Sequence, residues 1–193
     1  MSHNTRNWYS TKAGLLGSTV LLLGLLVPTS LSILPARAVE IGEGQTFFNR
    51  SPRLIRVAAS NTSPTVPATY QFTIQVPEDA GEPLQAVKIT QKENLEQISF
   101  DESQSRAFIG DSWASGSSIP LANIGGNAPA DANDITVVFD QPVAPGNTVT
   151  VTLNTNSNPL LGGVYQFGVT AFSRGENSPG LYLGSGRIHF QSR

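Results

Sequence analysis

The chain has 193 residues, 39% of them hydrophobic and 13% charged, with no cysteine, two histidines and a formal net charge of −2. That length supports one domain with a real core. The weak acidity argues against nucleic acid, which wants a basic stripe, and the missing cysteine rules out disulfide staples and lipoprotein anchoring.

Residues 1–38 read as a leader. Arg6 and Lys12 precede an apolar run from Ala13 to Val27, Pro28 ends it, and Ala36-Arg37-Ala38 places small residues at −3 and −1 of a cleavage site. This is the three-part layout of a secretory signal peptide. The apolar run falls short of the ~20 residues a bilayer span needs, so cleavage after Ala38 is expected and the membrane is met only through the leader. No Arg-Arg pair precedes the run, which points to the Sec route. The destination is periplasm or exterior, and a thylakoid lumen would use the same kind of leader. Three of the 12 basic residues lie in the leader and none of the 14 acidic ones, so the mature chain is more acidic still.

The mature strands follow in chain order. "RLIRVAA" (53–59), with Arg50 and Pro52 just before it, suits a solvated edge strand protected by charge. "TYQFTIQV" (69–76) alternates, with Tyr70, Phe72, Ile74 and Val76 on one face and Gln71, Thr73 and Gln75 on the other. That is the mark of a sheet with one buried side. A stiff turn at Pro77, Ala80, Gly81 and Pro83 leads to a weaker strand, "LQAVKITQ" (84–91). "QKENLEQI" (91–98) supports at most one surface turn of helix. "QISFD" (97–101) and "RAFIG" (106–110) are short strand candidates. "DITVVFD" (134–140) and "TVTVTL" (148–153) flank "QPVAPGN", a hairpin connection. "VYQFGVTAF" (164–172) alternates again, with Tyr165, Phe167, Val169 and Ala171 on one face. Gly168, on the other face, marks a bulge or a close backbone approach. After the turn at Arg174 to Asn177 comes the last strand, "LYLGSGRIHF" (181–190).

About eight or nine short strands separated by Pro, Gly and Asn turns predict an all-β fold. The architecture expected is a single antiparallel β-sandwich of immunoglobulin-like type over residues 39–193, without the Cys–Trp–Cys core of true immunoglobulin domains.

One stretch breaks the pattern: "DSWASGSSIPLANIGGNAPADAN" (111–133). A loop of that length is commonly either functional or disordered. Trp113 beside Asp111 gives an aromatic face with a carboxylate, the chemistry of a sugar-binding surface. The competing account folds the indole back over one end of the core. Asp131 and Asp134, with Asn133 between them, supply the oxygens calcium needs, although turn capping is the simpler account of such residues. Asp111, Trp113, Asp131 and Asp134 are the candidate ligand-binding residues of the 111–134 loop.

Catalytic chemistry finds little to use. His189 is the only histidine after the leader, and it alternates with Ile188 and Phe190 as a surface residue would. Zinc, copper and haem lack their usual ligands, so no cofactor is expected. A serine triad would need His189, and no Gly-x-Ser-x-Gly elbow occurs. Glu102 with Asp111 or Glu176 is the nominal carboxylate pair for a polysaccharide-acting hydrolase. Any chain with 14 carboxylates offers such pairs.

Three separated motifs carry a resemblance: "FTIQVPEDAGEPLQAVKITQKENLEQISFD" (72–101), "FDQPVAPGNTVTVTLNTNSNP" (139–159) and "GGVYQFGVTAFSRGENSPGLYLGSGRIHF" (162–190). Together they resemble a family of secreted cyanobacterial proteins catalogued as a domain of unknown function, the DUF2808-like family, over roughly Gln45 to Phe190. The resemblance implies an exported envelope protein and brings no catalytic residues with it. The expected function is a non-catalytic structural or binding module of the cell envelope or exterior. Its partner would be envelope polysaccharide or another envelope protein. The alternatives are the carboxylate hydrolase and a calcium- or carbohydrate-binding protein using the 111–134 loop.

Overall fold

The computed structural model describes residues 45–113, 116–124, 134–175 and 177–192. The expected leader at 1–38 lies outside the described residues, as do Asp131 and Glu176. In chain order the strands are β1 (Arg53–Ala59), β2 (Ala68–Gln75), β3 (Leu84–Gln91), β4 (Asp101–Ile109), β5 (Ser118–Ile119), β6 (Leu121–Ile124), β7 (Asp134–Val143), β8 (Thr148–Thr155), β9 (Gly163–Ser173) and β10 (Leu181–Phe190). They form two five-stranded sheets, β1-β2-β8-β4-β5 and β10-β9-β3-β7-β6. Every pairing is antiparallel. The expected all-β, immunoglobulin-like sandwich is the fold.

The strand count among the described residues is ten rather than eight or nine, for local reasons. The stretches 97–101 and 106–110 do not form two strands. Of the first only Asp101 enters β4 and of the second Arg106–Ile109, and the residues between complete the strand, whose register against β8 shifts between Asp101 and Arg106. There the Asp101 carboxylate accepts hydrogen bonds from the Ser103 hydroxyl (2.6 Å) and the Gln104 amide (2.8 Å), so a turn-like kink sits inside a continuous strand. The long loop also carries two strands. Ile119 pairs with Ala107 in the first sheet and Leu121 with Phe139 in the second, so the chain changes sheets at Pro120. Between β3 and β7 the pairing jumps from Leu84↔Val143 to Ala86↔Val138, and Pro142 sits in this broken stretch of ladder, where no donor is needed. The 91–98 segment forms no helix. Its shape is held by Gln91, which donates to the Glu96 carbonyl (2.7 Å) and accepts from the Ile98 N–H (2.9 Å).

Period-2 alternation fills the space between the sheets. Tyr70, Phe72, Ile74 and Val76 are fully buried, as are Val149, Val151 and Leu153 of β8 and Phe167, Val169 and Ala171 of β9. Each large apolar side chain so buried stabilises by roughly 1.5–3 kcal/mol. The aromatic rings lock across the gap. Tyr70 meets Phe167 edge-on at 5.8 Å, and Tyr165 meets Phe190 of the neighbouring strand at 5.2 Å. β1 is an edge strand, as expected, with a bulge at Ile55 between Leu54 and Arg56.

Candidate functional site

Of the described candidates, Asp111 and Trp113 lie at one end of the sandwich and Asp134 at the other. At the end carrying the β7–β8 hairpin, the chain leaves β4 and lies against the first sheet. Gly110 donates its N–H to the Thr148 carbonyl (2.8 Å), Thr150 Oγ1 donates to the Gly110 carbonyl (2.9 Å), and Thr73 Oγ1 reaches the Asp111 carbonyl at 3.4 Å. This cover buries Thr73 and Thr150 on a face that alternation alone assigns to solvent. Past it, the Asp111 and Trp113 side chains point outward. Trp113 is 59% exposed and does not fold back over the core.

Asp134 opens β7 at the far end, paired in register with Thr90 of β3. β7 runs from Asp134 to Val143 and, with its irregular stretch, spans β3 from Thr90 to Leu84, a length of roughly 20 Å. Asp111 and Asp134 therefore cannot share one ion or one small ligand. Asp134 lies 3.3 Å from the Lys88 ammonium instead. Glu102 lies at the start of β4 and Asp111 just past its end, and the β8 register, from Asp101↔Asn154 to Ile109↔Val149, sets them roughly 15–20 Å apart along the strand against the ~5–9.5 Å a glycosidase pair requires. That half of the hydrolase alternative has no geometry to work with.

A different surface gathers chemistry: the outer face of the second sheet. A row of register partners crosses it, Tyr182 on β10 beside Thr170 on β9, beside Lys88 on β3. A bulge between Tyr182 and Gly184 disturbs the β10–β9 register there, and such bulges commonly re-aim a side chain. Lys92 sets its ammonium 5.6 Å from the Tyr182 ring centroid. Gly168 supplies the floor, since a Cβ there would stand 3.1 Å from Tyr182 Cε2 and 3.3 Å from Lys92 Cε. Gly168 itself pairs in register with Ser185 and Thr90, and what approaches it is not the expected backbone but side chains of β10 and the β3–β4 loop. The result is an open depression of about 450 Å³ lined by Lys88, Thr90, Lys92, Asp134, Thr170 and Tyr182, together with Gln91 and Glu93. Tyr182 remains 55% exposed. Sequence reasoning found Asp134 and Gly168 but not this site, because its other members meet only through strand pairing.

A model of the family described as "Protein of unknown function (DUF2808)" matches residues 45–190. The chain belongs to that family. No curated protein matches the DUF2808 chain. Among solved structures, it is similar to the collagen-binding subdomain ACE19 of the Enterococcus faecalis surface protein ACE, at 9% identity and TM-score 0.44, over 74% of this chain and 99% of that one. A collagen-binding domain from a Staphylococcus aureus adhesin aligns at 10% identity and TM-score 0.36, over 76% and 98%. A cohesin module from a Clostridium perfringens family 33 glycoside hydrolase aligns at 11% and 0.39, over 76% and 98%. Likeness at this level carries no argument about ligand or partner.

Three carboxylates of the DUF2808 domain act as fasteners. Asp79 pairs with Arg50 at 2.8 Å, and that hydrogen bond holds its carboxyl below the usual carboxylate range. Asp101 is lowered likewise, first by the Ser103 hydroxyl bond and then by Gln104. Glu96 accepts the backbone N–H of Leu160 (3.0 Å) and of Leu161 (2.6 Å), tying the β3–β4 loop to the β8–β9 loop. His189 is an exposed residue of β10.

Proposed function

We propose that this DUF2808 protein is exported and works as a non-catalytic binding module of the cell envelope or extracellular space. The observation that carries the binding role is the outer face of the β10-β9-β3-β7-β6 sheet, where a braced, half-exposed tyrosine stands in a polar depression. An aromatic ring among convergent polar groups is the ordinary make-up of a ligand surface. The scattered fastener carboxylates favour binding over hydrolysis, and the leader at 1–38 favours export.

Tagged full-length chain, produced in its own host and fractionated, tests this reading. The expected product begins at Val39, lies outside the cytoplasm and co-sediments with envelope material. An uncleaved chain confined to the cytoplasm, or an exported one retained by neither envelope nor extracellular material, would overturn it.

A further inference from the structure

We propose that the depression around Tyr182 binds an uncharged, hydroxyl-rich glycan. This rests on the binding-module reading and names the site and ligand class within it.

Charge comes first. Lys88 and Lys92 are matched by Asp134 and Glu93 around the rim, and each lysine already has a nearby partner. Lys88 sits 3.3 Å from Asp134, and the Lys92 ammonium lies over the Tyr182 ring. A polyanion would want unpaired cations, and a polycation would want unpaired carboxylates. This surface offers neither in excess. What it offers is hydrogen-bonding versatility, since Thr90 and Thr170 hydroxyls both donate and accept, lysines donate and carboxylates accept. Sugar hydroxyls need that mixture.

Shape agrees. Neighbouring strands lie about 4.8 Å apart, so the Tyr182–Thr170–Lys88 row presents a new polar group about every 4.8 Å over about 10 Å. The step is comparable with the length of one pyranose unit. The volume of about 450 Å³ falls within the ~300–1,000 Å³ typical of ligand sites. The depression is open to solvent on its outer side, as a polymer ligand requires.

Pre-organisation completes the case. Tyr182 is held by the cation on its face and by the close floor at Gly168, so little rotamer freedom is left to lose on binding. A glycine at 168 suits the packing of the ring, because an alanine methyl would press on both Tyr182 and Lys92.

Isothermal titration of the exported, full-length-derived protein tests the site. The probes are neutral hexasaccharides of glucose, mannose, galactose and xylose, with hexagalacturonate as the acidic comparison. Saturable binding of at least one neutral probe is expected, at least tenfold tighter than the acidic one. Tyr182→Ala should weaken it tenfold or more, Gly168→Ala and Tyr182→Phe severalfold, whereas His189→Ala, an exposed position of β10 outside the depression, stays within about twofold. Thermal melts of the variants check that the fold is kept. Failure of all four neutral probes, preference for hexagalacturonate, or wild-type binding by Tyr182→Ala overturns the glycan site. Envelope retention measured on the same proteins separates the two proposals. Retention without neutral-glycan binding sinks the site alone, and loss of retention in the wild type sinks the binding module.

Discussion

Asn158 is a buried polar residue, only 2% exposed, and each of its side-chain polar atoms is used. The Tyr70 hydroxyl donates to its Oδ1 at 2.8 Å, and its Nδ2 donates to the carbonyls of Asn61 (3.0 Å) and Ser63 (3.1 Å). One amide thus pins the β1–β2 connection to the end of β8. Asn158→Ala removes all three bonds and leaves the Tyr70 hydroxyl buried without its acceptor. An unsatisfied buried group costs roughly 1–3 kcal/mol, so urea denaturation should show a loss of about 3 kcal/mol. A loss under about 0.5 kcal/mol would mean that water or a shifted loop replaces the network. In the sequence, position 158 lies in a run of Asn, Thr and Ser that reads only as turn. Its role depends on a tyrosine 88 positions away in the chain, and no local pattern encodes that distance.

At the scale of the elements, β1 and β10 are the edge strands on one side of the two sheets, and they close that side by direct contact. A Cβ at Gly186 would stand 2.3 Å from Val57 Cγ2 and 2.4 Å from Val57 Cβ. Gly186→Ala should therefore push the edges apart and cost about 1–3 kcal/mol as overpacking. The geometry also says what rescues it. Val57→Ala keeps the offending Cβ and should restore little, whereas Val57→Gly in the same background should recover a measurable part of the lost melting temperature. Equal rescue by both would place the clash elsewhere. Such contacts mark the limit of the sequence reading. The inner faces of β2 and β9 were legible because a period of two maps directly onto burial. The glycines of β10 read only as a loosened strand, since their reason lies on the other sheet. Likewise, Trp113 and Asp134 could be named as candidates from residue type, but not that β7 separates Asp134 from Asp111. The Tyr182 depression required the β10–β9–β3 register and the bulge beside Tyr182.

For the whole molecule, the aromatic core sets the response to alkali. Tyr70 is fully buried, and desolvation, helped by the nearby Tyr165, pushes its hydroxyl far above the ordinary tyrosine value. Tyr165 is raised too, first by burial and then by the Glu96 carboxylate. In the unfolded chain both hydroxyls ionise near pH 10. Above that pH the unfolded state binds fewer protons than the folded state, so stability falls as pH rises, and below it these groups give no slope. Each tyrosine contributes at most about 1.4 kcal/mol per pH unit in the window between its unfolded and folded values. Chemical denaturation at intervals from pH 7 to pH 11 should show a plateau and then a decline beginning near pH 10. Tyr70→Phe separates this effect from general alkaline repulsion. At pH 7 it should be the less stable protein, because Asn158 loses its donor, yet its decline above pH 10 should be shallower by up to that amount. Parallel declines in the two proteins would show that Tyr70 ionises in the folded state as readily as in water, and that the ring junction between the sheets is open to solvent.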